Sequence, residues 1–300
     1  MSALHTRLDR QAALLLVGLC LIWGLQQVSI KIANLGISPV LQAGLRSLGA
    51  VLLVYAWSSW RGVRIFSRDA TLGAGLLAGA LFAAEFALLF WALTYTTASR
   101  GVIFLYTAPF FVALGAVWLL PQERLRPAQW LGMLLAFLGV VVLFGENLSA
   151  ARSQAWIGDL MMLAAGIAWA ATTLTIKASA LARTAPEKTL LYQLGVSALL
   201  LPPLSLLLGE SGITQLTPAI VAAFLFQTLV VASVSYLAWF WLIRHYPATH
   251  LSSFSFLTPV FGVISGGLIL GERLNAAVFV ALALVGGGIW LANRPPRAAS

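Results

Sequence analysis

Ten stretches of mainly apolar residues follow one another along the chain, and this succession restricts the possible folds more than any other feature. In order they are residues 12–30, 40–60, 72–95, 98–120, 127–145, 156–178, 188–208, 218–243, 248–270 and 275–292, here called segments 1 to 10. Each is close to the about 20 residues that an α-helix needs to cross the hydrocarbon core of a bilayer. The sequence therefore predicts an all-α integral membrane protein with ten transmembrane helices.

The composition agrees, since 60% of the residues are hydrophobic and only 9% are charged. The loops between segments are too short to hold a soluble domain, so any function must lie between helices. The sequence contains no phosphate-binding loop, no zinc-protease motif and no serine-hydrolase elbow, and its single cysteine, Cys20, cannot form a thiolate metal site. We therefore expect neither an enzyme nor a bound cofactor or metal.

The net charge of +9 could suggest a nucleic-acid partner, but the arginines are scattered singly through short loops and form no basic patch. Most basic residues fall in loops on the side that holds the N-terminus. By the positive-inside rule, this asymmetry predicts a multi-pass protein of the cell inner membrane with both termini in the cytoplasm. We expect the lipid bilayer and a small-molecule substrate as partners, no nucleic acid, and a monomer.

The second half of the chain repeats the first. Residues 104–125 resemble residues 254–274, with a proline after an aromatic pair and a closing Glu-Arg-Leu, and residues 23–31 resemble residues 169–177. Segments 1–5 thus correspond to segments 6–10, which divides the chain into a first repeat at 1–147 and a second at 148–300. Because five is odd, the second repeat must enter the membrane in the opposite orientation.

The features that carry a family resemblance are Trp23 and Trp169 within helices, Gly158-Asp159-Leu160, Pro109 and Pro259, and Leu270-Gly271-Glu272-Arg273 before a glycine-rich last segment. With these features the chain resembles the EamA-type drug/metabolite transporters, and within that family it is most similar to the YddG-type amino-acid exporters. The resemblance implies export of small organic solutes, and the subgroup implies amino acids, including aromatic ones. One departure is Pro121-Gln122 before Glu123, where the second repeat has only Gly271.

Glu85 is the one carboxylate near the middle of an apolar segment. An ionised carboxylate facing lipid is costly, so Glu85 should point into the bundle. It could hold a substrate ammonium or a coupling proton, or it could be a structural carboxylate bonded to a neighbouring group. Its counterpart in the second repeat is Ser235.

Segments 1 and 6 carry similar polar faces, each with an indole followed at i+3 and i+4 by hydrogen-bonding side chains. The residues are Trp23, Gln26 and Gln27 in segment 1, and Trp169, Thr172 and Thr173 in segment 6. Because polar groups avoid lipid, both faces should point inward, either to line a substrate cavity or to join helices by hydrogen bonds. Tyr106, Tyr236 and Phe256, together with Phe86, could complete an aromatic wall, or they could serve only in packing.

Three further residues are candidates for a hinge or gate. Pro109 and Pro259 each remove a helix hydrogen bond, so each predicts a hinge or a static kink. Arg46, about two turns into segment 2, could snorkel or bind helix-end carbonyls, or it could meet a substrate carboxylate near an outer gate.

These observations predict a secondary transporter that exports neutral and aromatic amino acids by alternating access through a central cavity. One alternative is an exporter of drugs or other small metabolites with the same fold. The other is a membrane scaffold that transports nothing.

Overall fold

The structure is a computed structural model, and it describes residues 8–67, 69–92, 95–96, 98–123, 125–144, 154–270 and 276–293. Within these ranges nine helical spans are long and apolar enough to cross a membrane, and a tenth apolar helix, Ala277–Ala292, is shorter. The predicted class, an all-α membrane protein with ten helical segments, is confirmed.

The α-helices are α1 (Arg10–Ala33), α2 (Pro39–Trp60), α3 (Leu72–Ala92), α4 (Ala98–Leu105), α5 (Ala108–Leu119), α6 (Pro127–Phe144), α7 (Ala155–Ala178), α8 (Pro186–Leu207), α9 (Pro218–Leu225), α10 (Tyr236–His245), α11 (Ala248–Phe254), α12 (Leu257–Leu270) and α13 (Ala277–Ala292). Segment 4 is built from α4 and α5, segment 8 from α9 and α10, and segment 9 from α11 and α12. The face of the bundle at which α1 begins is called here the N-side, and the opposite face the far side.

Helix packing is symmetric with respect to exchange of the two halves. Segments 2 and 7 pack together as α2 against α8, and segments 5 and 10 as α6 against α13. Segment 1 packs on segment 9 through α1 and α12, while its counterpart, segment 6, packs on segment 4 through α7 and α5. This exchange is what a pseudo-two-fold axis between two inverted five-helix repeats requires.

Segments 4 and 9 are both broken just before their prolines. In segment 4 α4 ends at Leu105 and α5 starts at Ala108, and in segment 9 α11 ends at Phe254 and α12 starts at Leu257. Pro109 and Pro259 have no backbone N–H to bond the carbonyl four residues back, which explains the position of each break. The breaks are consistent with hinges, but a hinge motion stays a prediction.

Glycines allow two helix pairs to approach closely. A Cβ added at Gly288 of α13 would lie 2.5 Å from the carbonyl oxygen of Gly132, and one added at Gly132 would lie 2.6 Å from the carbonyl oxygen of Gly288. At the α3–α8 contact, a Cβ at Gly79 would lie 2.7 Å from the carbonyl oxygen of Tyr192. Dispersion contacts between closely spaced backbones replace the hydrophobic driving force that is missing between helices in lipid.

Between α9 and α10 the chain winds as a π-helix over Phe226–Ser235. The hydroxyl of Ser233 donates to the carbonyl of Thr228, five residues back, at 2.8 Å, which follows the wider π winding. Such segments are rare and often occur at functional sites. Here the π-helix ends at Ser235 and α10 begins at Tyr236, and both residues belong to the site described next.

Candidate functional site

A cavity of about 180 Å³ lies between α1, α3, α4, α7, α8, α10 and α12. Its wall contains eight of the residues predicted for substrate binding: Trp23, Gln26, Glu85, Tyr106, Trp169, Thr172, Thr173 and Tyr236. These residues come from both halves of the chain, so folding brings the two predicted polar faces together on one cavity. That they bind a solute stays a prediction.

The indole of Trp23 is held in one orientation. Its Nε1 donates to the hydroxyl of Ser235 at 2.9 Å, and that hydroxyl donates to the carbonyl of Val231 at 2.6 Å. The Trp23 ring also meets Tyr236 and Trp239 edge to face, with centroids 6.4 Å and 5.3 Å apart. Ser235, the repeat counterpart of Glu85, therefore serves to orient an aromatic wall.

The second tryptophan forms an equivalent wall on the other repeat. The ring of Trp169 packs edge to face on Tyr106, with centroids 5.7 Å apart and planes at 88°. Offset and edge-to-face contacts of this kind are the favoured geometry for aromatic pairs. The cavity thus has an indole from each repeat, each fixed by a tyrosine.

Glu85 faces the bundle as expected, and its surroundings include an arginine that the sequence did not place there. Arg46 is 1% exposed and exerts an electrostatic attraction on Glu85. The carbon at the centre of its guanidinium group lies 4.7 Å from the centroid of Phe86, which is cation–π geometry. Of the alternatives considered for Arg46, snorkelling toward an interface does not occur, because the side chain is buried. A role of Arg46 at a gate stays a prediction.

The hydroxyl groups on the polar face of α7 donate hydrogen bonds to carbonyls of the same helix. The hydroxyl of Thr172 donates to the carbonyl of Ala168 at 2.9 Å, and that of Thr173 donates to the carbonyl of Trp169 at 3.1 Å. On α1, Gln26 interacts with the hydroxyl of Tyr236, as does Arg46. The hydroxyl protons of both threonines are therefore already engaged within α7.

Two predicted residues have a different outcome. Phe256 is fully buried at the break between α11 and α12, with its ring 6.1 Å from Phe110 and 6.3 Å from Phe137, and it is not part of the cavity wall. The side chain of Gln27 lies outside the part of the chain that the structure describes.

Gln193 of α8 lines the cavity but was not singled out from the sequence. It is the repeat counterpart of Arg46, because each residue stands seven positions after the proline that begins its helix, Pro186 in α8 and Pro39 in α2. Aligning the two repeats through these prolines would have identified it. Phe82, Trp239 and Phe240 also line the cavity and were missed, since an aromatic in an apolar helix gives no sign of the direction it faces.

On the N-side, a buried ion pair joins three segments. Nζ of Lys177, at the end of α7, lies 3.2 Å from Oε1 of Glu123, and both side chains are almost fully buried. Oε2 of Glu123 accepts from the backbone N–H of Ala248, the first residue of α11, at 2.6 Å. Segments 4, 6 and 9 are thereby held together at this end of the bundle.

Comparison with known proteins agrees with this architecture. The EamA-like transporter family matches the chain twice, over residues 10–145 and 156–294. The chain belongs to the EamA-like transporter family. It is therefore a membrane transporter, and its cavity lies between the two EamA-like units.

Several curated relatives of this EamA-like transporter align over nearly their whole length. A probable amino-acid metabolite efflux pump of Salmonella typhimurium is 31% identical over 297 residues, which cover 95% of each chain. A protein of the same description in Escherichia coli is 28% identical, also over 95% of each chain. An uncharacterized transporter of Archaeoglobus fulgidus is 29% identical over 89% of this chain and 91% of its own.

A solved crystal structure has the same fold. It superimposes with a TM-score of 0.81 over 95% of this chain and 97% of its own, at 21% sequence identity. At this identity the likeness concerns the fold alone.

Proposed function

We propose that this transporter exports amino acids, neutral and aromatic ones in particular, by alternating access through the central cavity. The observation that carries the proposal is the cavity wall, in which the carboxyl group of Glu85 lies among aromatic side chains from both repeats. Such a wall suits a zwitterion whose side chain packs against Trp23, Trp169 and Tyr106.

The main alternative is an exporter of cationic drugs or other metabolites. A cationic solute would need an anionic partner in the cavity, since transfer of a cation from water into a buried site is costly. Arg46, itself a buried cation that acts electrostatically on Glu85, would weaken such a site, which favours a zwitterion. The Salmonella and Escherichia coli relatives, which are described as probable amino-acid metabolite efflux pumps, support the same choice.

The proposed solute is bound through its ammonium group and its side chain. Its ammonium would meet Glu85, and its apolar side chain would lie between the two indoles. Pro109 and Pro259 would act as hinges, because bending at the breaks in segments 4 and 9 could open one end of the cavity while the other closes. We place both termini in the cytoplasm of a cell with an inner membrane, divide the repeats at residues 147 and 148, and propose a monomer.

The test is uptake into liposomes that contain the purified protein, with labelled phenylalanine, methionine, threonine, lysine and glutamate, each with and without an imposed pH gradient. Saturable uptake of the neutral and aromatic members, above that of lysine and glutamate, would support the proposal. A tetraphenylphosphonium cation serves as the competing substrate. Uptake of this cation without uptake of any amino acid would favour a drug exporter, and uptake of nothing by folded protein would favour a scaffold.

The pH gradient addresses the second role considered for Glu85. If uptake of phenylalanine is unchanged by the gradient, Glu85 belongs to the substrate or to the structure. If the gradient drives accumulation and Glu85→Gln abolishes that accumulation, Glu85 is a coupling-proton site.

A further inference from the structure

We propose that Gln193 is the donor that holds the carboxylate of the transported amino acid. The proposal rests on the proposed function, since it names the residue that recognises one end of the same solute. Gln193 is 1% exposed and lines the cavity. Neither its Oε1 nor its Nε2 has a hydrogen-bond partner among the residues that the structure describes.

A buried amide without partners carries a large cost, because its donor and acceptor have both left water without compensation. Most buried side-chain polar atoms are hydrogen-bonded, so this amide requires an explanation. A role in joining helices does not explain the amide, since such a role would give it a partner on a neighbouring helix. A solute that enters the cavity and forms hydrogen bonds with the amide would explain it.

Several other polar groups on the cavity wall are already bonded, while the hydroxyl of Thr258, like the amide of Gln193, has no partner among the described residues. The hydroxyl protons of Thr172 and Thr173 go to carbonyls of their own helix, and Gln26 interacts with Tyr236. The Nε1 of Trp23 donates to Ser235. The N–H groups of Gln193 are free to donate, and hydrogen bonds to an ionised acceptor are the stronger kind.

The offset between Gln193 and Glu85 along the helix axis is comparable to the span of an amino acid that is bound at both charged ends. Gly79 of α3 lies against the carbonyl of Tyr192, so Gln193 stands near the level of Gly79. Glu85 follows six residues later, about 9 Å along the helix at 1.5 Å per residue. The nitrogen and a carboxylate oxygen of an α-amino acid are about 3 Å apart. With a hydrogen bond of about 2.8 Å added at each end, the bound amino acid spans a length comparable to this offset of about 9 Å.

The repeat makes this assignment specific to the second half. The position equivalent to Gln193 in the first repeat is Arg46, whose guanidinium group lies over the ring of Phe86 and acts electrostatically on Glu85. A lysine or arginine at 193 would add an uncompensated positive charge to the wall, whereas an amide binds a carboxylate and leaves the wall neutral. The two equivalent positions therefore have different roles: Arg46 places a positive charge near Glu85, and Gln193 binds the solute.

The experiment compares reconstituted wild type, Gln193→Leu and Ser197→Ala in uptake of labelled phenylalanine. Ser197 is the matched control, because it lies one turn further along α8, is fully buried with a hydroxyl that has no partner among the described residues, and does not line the cavity. We expect Gln193→Leu to raise the half-saturation concentration roughly 10- to 100-fold, as expected for loss of a hydrogen bond to a charged group. Ser197→Ala should leave it unchanged.

Competition with two analogues identifies the end of the solute that Gln193 recognises. Phenethylamine keeps the ammonium of phenylalanine and lacks the carboxylate, while 3-phenylpropionate keeps the carboxylate and lacks the ammonium. In Gln193→Leu, inhibition by phenethylamine should be as strong as in wild type, and inhibition by 3-phenylpropionate should be lost. Equal weakening of both analogues, or an unchanged half-saturation concentration for phenylalanine, would overturn the assignment.

If Gln193→Leu does not fold, Gln193→Met and Gln193→Glu replace it. The methionine keeps the length of the side chain without the amide. The glutamate should repel the carboxylate of the solute, so Gln193→Glu should raise the half-saturation concentration for phenylalanine more than Gln193→Met does. Saturable uptake by wild type with no effect of any Gln193 variant removes the role of Gln193 and leaves the proposed function standing. Absence of amino-acid uptake by folded wild type removes both.

Discussion

Nζ of Lys177 lies 3.2 Å from Oε1 of Glu123, and neither side chain is more than 6% exposed. Removal of one partner of a buried ion pair leaves the other charge without compensation, at a cost of about 3–5 kcal/mol. A conformation in which the N-side opens would let water reach Glu123 and would relieve this cost. Lys177→Met should therefore shift the transporter toward conformations open on the N-side.

Cysteine labelling measures this shift. Ile243 lines the cavity and is 1% exposed, so Ile243→Cys in a Cys20→Ala background should react slowly with a polar maleimide. Addition of Lys177→Met should speed the reaction at least 10-fold. Lys188→Met is the matched control, because Lys188 pairs at 2.7 Å with Asp69, whose carboxylate is exposed and stays hydrated. Equal rates in all three proteins would show that the ion pair does not hold the N-side closed.

The pair of Arg46 and Glu85 predicts a pattern in the stability of single and double variants. Arg46→Met removes a buried cation that acts electrostatically on Glu85, and it leaves an ionised Glu85 without compensation, so it should lower the melting temperature of the detergent-solubilised protein. Addition of Glu85→Gln removes the stranded charge and should restore most of the loss. A double variant as unstable as Arg46→Met alone would indicate that the arginine contributes only packing against Phe86.

Arg61→Met is the control for this series. Arg61 is exposed and lies over the ring of Trp57 at the N-side surface, 5.6 Å from guanidinium carbon to ring centroid. Exposed contacts of this kind contribute about 0.5–1 kcal/mol at most. Its loss should leave the melting temperature nearly unchanged, whether or not Glu85 is substituted.

The order of the helices and part of the site could be predicted from the sequence, because both follow from periodicity. Apolar runs of bilayer length define the helices, and the i, i+3, i+4 spacing from Trp23 and Trp169 defines the faces that meet at the cavity. Periodicity holds only while the helix continues. Phe256 lies in the break before Pro259, where the register of the preceding turns no longer fixes its direction.

Relations between different helices could not be read from one sequence. A lone arginine in an apolar segment is usually expected to snorkel, and only the packing of α2 beside α3 brings Arg46 to Glu85. Gln193 is a different case, because the repeat contained the signal. The alignment of Pro39 with Pro186 makes Gln193 the repeat equivalent of Arg46. The polar residue at position 46 therefore indicated a polar site at position 193 as well.

The hydrogen bond from Trp23 to Ser235 should matter less than the indole ring itself. Side-chain hydrogen bonds between membrane helices contribute about 0.6 kcal/mol on average. Trp23→Phe keeps an aromatic wall, so its half-saturation concentration for phenylalanine should rise less than about 3-fold. Trp23→Ala should raise it far more. If Trp23→Phe impairs uptake as strongly as Trp23→Ala, the polar bond and not the aromatic surface is what the site requires.

The ion pair of Asp69 should make the stability of the folded protein fall as the pH is lowered. Its carboxylate accepts from Nζ of Lys188 at 2.7 Å and from the hydroxyls of Ser67 and Thr71, and these bonds lower its pKa well below the usual range. An aspartate in the unfolded chain has a pKa of about 3.9. A group whose pKa is lowered by folding contributes stability above the unfolded value, and this contribution is lost as the pH falls toward the folded value.

Asp69→Asn should therefore lower the melting temperature by the same small amount at pH 7 and pH 6, and by less at pH 3. The carboxylate is exposed, so the effect is that of a solvent-screened ion pair. In a Lys188→Met background the effect of Asp69→Asn on the melting temperature should become smaller at neutral pH and less dependent on pH. An effect of Asp69→Asn that is constant from pH 7 to pH 3 in the otherwise unchanged protein would contradict the assignment to this ion pair.

Two glycines of α13 allow the effect of close helix packing on stability to be distinguished from the effect of helix propensity. A Cβ at Gly288 would lie 2.5 Å from the backbone nitrogen of Ala136 and from the carbonyl oxygen of Gly132, whereas a Cβ at Gly286 would meet nothing within 4 Å. Gly288→Ala must push α13 away from α6, and overpacking of this kind costs about 1–3 kcal/mol. Gly286→Ala, on the same helix, should be neutral or slightly stabilising, because alanine restricts the unfolded chain. Melting temperatures of the two variants in detergent should therefore differ in sign or size, and equal values would show that α6 and α13 can separate without loss.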